Sequence, residues 1–184
     1  MREAVIVSTA RTPIGKAYRG AFNDLEGPSL ASHAVEAALS RAGVEPGEID
    51  DVVMGNALSQ GTTGVNVGRQ IAMRSGMPVT VSGMTIDRQC SSGMMAIATG
   101  AKQITTDHMP VVVAGGLESI SLVQNQHMNM YRAMDPVLLE MQPDMYMPML
   151  QTAEVVADRY QVSREAQDEY ALASQQRVAA AQES

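Results

Sequence analysis

Apolar runs of strand length recur between stretches with helical spacing through the first 120 residues. The run "EAVIVSTA" (3–10) is rich in β-branched residues and predicts a buried strand. "RTPIGKAYRGAFNDLEGP" (11–28) is broken by Gly and Pro and predicts a loop. A helix follows over "SLASHAVEAALSRAG", with Ser29 placed to cap it and Gly43 to end it. "PGEID" reads as a turn, and "DVVMGNAL" (51–58) as a second strand. "VNVGRQIAMRSG" (65–76) predicts a helix, "VTVSGMTID" (79–87) a third strand, residues 90–105 another helix, and "PVVVAGGLES" (110–119) a fourth strand. Strands alternating with helices indicate an α/β layered fold with a mainly parallel sheet and helices on both faces.

After Ser121 the pattern changes. Residues 122–151 are Met-rich, interrupted by Pro and without a clean period, which predicts a long excursion, placed over a binding site. "TAEVVADRYQ" and "SREAQDEYALASQQRVAAAQ" then read as two helices, the second with Ser163 as N-cap and Glu165 in its first turn. The Ala-rich pattern runs to Ser184 without a Gly or Pro stop, an expectation that the natural polypeptide continues.

Composition narrows the chemistry. The 184 residues are 45% hydrophobic and 18% charged, which fits a packed core and not disorder. The net charge of -7 argues against binding nucleic acid or an anionic membrane by bulk electrostatics. There is no Trp and one Phe, and fifteen Met take up part of that volume. No apolar run is long enough to span a bilayer, and the N-terminus lacks a signal-peptide pattern, so a cytoplasmic protein is expected. One Cys excludes an intrachain disulfide and a Cys-based zinc site. His33, His108 and His127 are far apart in sequence, without metal-ligand spacing.

That one thiol, Cys90, sits in "DRQCSSGMM", where a strand ends and a helix begins. The helix carries Lys102 as its only charge and two glycines, Gly93 and Gly100, each weakening an exposed helix by about 1 kcal/mol. A helix apolar on all sides is expected to be buried centrally. A helix start presents unpaired N–H groups and partial positive charge, which favour thiolate and can hold an oxyanion. Free Cys also serves as simple core filler. Local features leave the two roles open, and no neighbouring residue is an obvious base.

The segment "DRQCSSGMMAI" resembles the active-site segment of thiolases. Other stretches agree in order: "VIVSTARTPIGKAYRGAFND", "VVMGNALSQGTTGVNVGRQIAMRSGMP", "VVVAGGLESIS", and "TAEVVADRYQVSREAQDEYALASQQR". The resemblance implies acyl transfer between coenzyme A thioesters, by thiolysis of a 3-ketoacyl-CoA or Claisen condensation of two acyl-CoA units. By match to the motif, Cys90 would carry the acyl group and its backbone N–H would form part of an oxyanion hole. Residues 1–121 would be part of the N-terminal thiolase domain, and 122–184 the start of the loop domain covering the CoA site. Met149 matches a position lining the pantetheine channel, although packing is an equal reading for it. Leu150 stands where the family has Gly, and Pro148 where many members have His, which bears on the substrate. Thiolases are about twice this length. The base His and second Cys would lie in a C-terminal half that these residues do not include, leaving this piece alone inactive. No permanently bound cofactor is implied. Acyl-CoA and CoA are the expected partners, with assembly into a homodimer or homotetramer through the strand near Cys90. Two other readings stand beside this one: a condensing enzyme of the ketoacyl-synthase type, and a non-catalytic truncated or split-subunit assembly module.

Overall fold

Five successive residues of "DVVMG" are buried and form β1, Asp51–Gly55. A strand covered on both faces needs apolar side chains on both, which is why this run does not alternate. In the computed structural model, which describes residues 2–184, β1 is the centre of a three-stranded sheet. It pairs in parallel with β2, Ser82–Ile86, and with β3, Val112–Gly116, so that Asp51 lies opposite Ser82 on one side and Val112 on the other.

The period of two along β1 assigns the layers. Val52 and Met54 join one apolar cluster with Val35 and Leu39 of α1, Gly27–Ala42, and with Val67 and Ile71 of α2, Val67–Arg74. Asp51 and Gly55 point the other way, toward α3, Ser92–Thr105. The amide of Gln103 on α3 donates to the buried Asp51 carboxylate at 2.7 Å. The layered α/β fold read from the sequence is present, with helices on both faces of a parallel sheet.

The N-terminal run differs from its predicted strand. Residues 3–10 are assigned to no strand and pair with none of β1–β3. Val5, Ile6 and Val7 are 70–76% exposed. β-branched composition supplies propensity, but a strand exists only against a partner ladder. The segment is tied instead by side chains: Arg2 donates to the carbonyl of His108, and Arg41 to that of Thr9 at 2.7 Å. Two smaller expectations also shift. α1 starts at Gly27, before Ser29, because Pro28 is suited to a first helical turn, and the Gly27 N–H bonds the Thr62 hydroxyl at 2.8 Å. Gly43 does end it, in the left-handed conformation at φ 65°. α3 is not covered all round: Ala96, Gly100 and Gln103 are buried, while Met94 is 76% exposed and Ile97 48%.

Contacts divide the chain into two compact units, one ending at Asn129 and one from Met130 to Ser184. The first closes with the short α4, Ile120–Val123, held to the early loop where the Ser121 hydroxyl accepts the Tyr18 N–H at 2.8 Å. The second contains α5, Pro136–Met141, α6, Met149–Tyr160, and α7, Arg164–Glu183. Asp135 caps α5 and Ser163 caps α7, as its position suggested. The Glu165 carboxyl is held below its usual range by its own backbone N–H and by the Ser163 hydroxyl. None of the residues of α5, α6 or α7 is buried. Among the described residues no helix is long and apolar enough to cross a membrane.

A methyl group at Gly55 would lie 2.2 Å from the Ser92 carbonyl carbon, whereas at Gly47 it would meet nothing within 4 Å. Gly55→Ala is therefore expected to destabilise the fold by about 2 kcal/mol or more, the scale of forced overpacking, and Gly47→Ala to leave it unchanged. Urea denaturation of the two variants checks this.

Candidate functional site

All three strands end on one side of the sheet, and α3 begins there. Between Ile86 and Ser92 the chain reverses in a tight turn that carries Cys90. The turn is built from its own polar atoms. The Asp87 carboxylate accepts the Gln89 N–H at 2.7 Å. Gln89 adopts a left-handed backbone, φ 48°, which is uncommon for a residue with a Cβ. The Ser91 N–H bonds the Arg88 carbonyl at 3.1 Å, and the Ser92 N–H bonds the Gln89 carbonyl at 3.0 Å. The Ser92 hydroxyl, with Ser92 only 4% exposed, works in both directions. It accepts the Arg88 N–H at 2.8 Å and donates to the Gln89 carbonyl at 2.6 Å. Cys90 itself is free and exposed.

The height of this turn above the sheet is set by glycines. A Cβ on Gly55 would overlap the backbone of Ser92 and Gly93, at 2.2–2.4 Å. One on Gly116 would lie 2.9 Å from the Gly93 Cα and 3.2 Å from the Gly55 carbonyl oxygen. The ends of β1 and β3 and the start of α3 thus meet backbone to backbone, closer than any side chain permits.

Beside this junction a carboxylate ties the two strand exits together. Asn56, 1% exposed, donates from its side-chain amide to the Leu117 carbonyl at 3.1 Å and to Glu118 at 2.8 Å. The N–H groups of Ala57 and Leu58 also donate to Glu118, at 3.0 and 3.3 Å. With these donors engaged, Glu118 acts as a tie between loops. In the sequence Glu118 falls at the end of a predicted strand and within the resemblance, and nothing local marks Asn56 or Ser92 for a role. For Asn56 the available signal was a polar residue directly after the strand-ending Gly55, where ladder bonds stop.

None of the three histidines is bonded to the thiol. His33 is on α1, His108 in the turn after α3, and His127 after α4; all are exposed. Met149, 72% exposed, is the first residue of α6 in the second unit, with Pro148 at its N-cap and Leu150 84% exposed. Among the described residues no group of three or more His, Cys, Asp or Glu could hold a metal ion. The first unit supplies a mounted thiol with neighbouring backbone N–H groups, and among the described residues no side-chain acid or base is bonded to it.

The family model described as "Thiolase, N-terminal domain" matches residues 4–184. The chain is 42% identical, over 98% of its length, to a 3-ketoacyl-CoA thiolase of Bacillus subtilis (strain 168), of which it covers 46%. It is 40% identical over 97% of its length to an acetyl-CoA acetyltransferase of Rhizobium meliloti (strain 1021), covering 47% of that protein. It is also 40% identical to the peroxisomal 3-ketoacyl-CoA thiolase B of Mus musculus, over 98% of this chain and 42% of that one. The crystal structure of the Bacillus anthracis acetyl-CoA acetyltransferase superposes with a TM-score of 0.76 at 38% identity, over 94% of this chain and 45% of that chain. The chain thus spans about half the length of these relatives.

The carboxylate tie is tested by Glu118→Gln, which sets an amide NH₂ against N–H donors. A loss of about 2 kcal/mol is expected in urea denaturation, the scale of a charge-assisted bond replaced by a mismatch. In the unsubstituted chain, one equivalent of thiol reagent should react without denaturant, since Cys90 is the sole cysteine and is exposed.

Proposed function

Since the chain belongs to the thiolase family, we propose that it contributes the nucleophile of an acyl transfer between coenzyme A thioesters. The observation that carries this reading is Cys90, free and exposed on the turn where three strand ends and the start of α3 converge. In thiolysis the Cys90 sulfur attacks the 3-keto carbon. The bond between that carbon and C2 breaks, and its electron pair leaves with the acetyl-CoA fragment, which takes up a proton. A CoA thiol then attacks the acyl-cysteine, releasing the shortened acyl-CoA and the free thiol. Condensation is the reverse. The Cys90 N–H, at a helix start that concentrates positive partial charge, serves as one donor to the developing oxyanion.

The proton-transferring acid and base are assigned to residues outside these 184, because no His bonds Cys90 and no second Cys is present. Met149 and the excursion from 122 onward are assigned to the pantetheine side of the acyl-CoA, and Leu150, where the family resemblance expects glycine, to a reshaped acyl or pantetheine pocket. β2 lies at one edge of the sheet and is only partly buried, which supports association of two copies along it. Homodimer or homotetramer assembly, the cytoplasm as compartment, and no resident cofactor complete the reading.

Incubation with acetyl-CoA followed by intact-mass measurement and peptide mapping should place one acetyl group on Cys90, and none in Cys90→Ala. Turnover by this chain alone should be lower than that of a complete relative by several orders of magnitude, since an acid or base each contributes about 10²–10⁴-fold. Thiolytic activity unaffected by Cys90→Ala in the intact protein would overturn the assignment.

A further inference from the structure

A trans peptide points its N–H opposite to its C=O, so fixing one fixes the other. The Gln89–Cys90 peptide is fixed through its carbonyl, which accepts both the Ser92 hydroxyl at 2.6 Å and the Ser92 N–H at 3.0 Å. Both donors lie on the first residue of α3, which is packed against the glycine ends of the sheet and cannot follow the turn if the turn moves. The same hydroxyl also accepts the Arg88 N–H at 2.8 Å, so it spans the left-handed residue Gln89 from both sides.

We propose that Ser92 is a positioning residue whose hydroxyl aims the Cys90 N–H at the oxyanion formed when the Cys90 thiol attacks an acyl carbon. This rests on the reading of Cys90 as an acyl-accepting nucleophile. Three observations support it together. Ser92 is buried, so its hydroxyl does not exchange its partners for water. Both of its bonds go to backbone groups of the turn itself, the Arg88 N–H and the Gln89 carbonyl, and not to the body of the fold. Gln89 holds a conformation that residues other than Gly seldom adopt, so the turn needs bonds that keep it from relaxing. Without the hydroxyl, the Ser92 N–H alone holds the Gln89 carbonyl, the Arg88 N–H loses its acceptor, and the Gln89–Cys90 peptide is held by one bond in place of two. The thiol remains and its intended oxyanion donor is misdirected.

This separates two reactions of one sulfur. Alkylation by iodoacetamide displaces iodide at a saturated carbon and forms no oxyanion. Acetylation by S-phenyl thioacetate passes through a tetrahedral oxyanion. Both depend on the same thiolate, so the ratio of their rates removes its contribution. The test measures this ratio by intact mass, with Cys90 as the sole thiol, in the full chain, in Ser92→Ala, in Ser92→Thr and in an unfolded peptide of residues 84–96. The full chain is expected to exceed the peptide. Ser92→Ala should lower the ratio about tenfold, part of the 10²–10³ that loss of a whole oxyanion donor costs, with its alkylation rate and far-UV spectrum unchanged. Ser92→Thr, which keeps the hydroxyl, should restore it. A full chain no better than the peptide would overturn the oxyanion role of Cys90 and the Ser92 role with it. A raised ratio that persists in Ser92→Ala would overturn the Ser92 role alone. If Ser92→Ala does not fold, Ser92→Thr decides, because a ratio reduced to that of the peptide in a folded, hydroxyl-bearing variant contradicts the proposal.

Discussion

The meeting of Gly55, Gly93 and Gly116 is the constraint on which the candidate site depends. A parallel sheet delivers its strand ends to one side, and the next helix normally stands off by the width of a side chain. Here no side chain intervenes, so α3 starts almost in contact with the strand backbones. The turn before α3 then has no slack, and its geometry is passed directly from the sheet to Cys90. Rigid positioning of this kind is what a reacting group requires.

The polar ties near the junction answer a shared problem. Where a strand stops, its ladder stops, and the following N–H groups need other acceptors. After β1 these are the N–H groups of Ala57 and Leu58, and Glu118 accepts them. After β2 the need falls on Arg88, and the Ser92 hydroxyl accepts it. In each case the acceptor comes from a segment further along the chain, so the bond also joins two parts of the rim. The polar residues around the thiol thus stiffen its surroundings.

The sequence made some of this legible and hid the rest for physical reasons. β1–β3 and α1–α3 were visible because apolar runs and helical periods record burial, and burial is where residue choice is narrowest. The strand expected at 3–10 failed because Val5, Ile6 and Val7 record β propensity, while pairing depends on a neighbour that propensity cannot report. The buried all-round α3 failed similarly: Met94 and Ile97 are apolar and exposed. Cys90 was legible from its place between strand and helix and from the motif around it. Ser92 was not, because its role lies in two bonds within four residues, and Ser occurs at helix starts for many reasons. Asn56 and Glu118 are 62 positions apart, a separation at which no local pattern operates.

The order of strands in the sheet carries a consequence for synthesis. β1 occupies the centre, but its second neighbour, β3, is the last of the three to leave the ribosome. Gly116, which closes the junction over α3, arrives with it. During translation the thiol is therefore made before its final mount can form, and the nascent chain passes through a stage with a loose turn and an unfinished sheet. Parallel pairing between distant segments is slow and leaves such intermediates exposed. At that stage the fold does not yet hold the thiol in its final position.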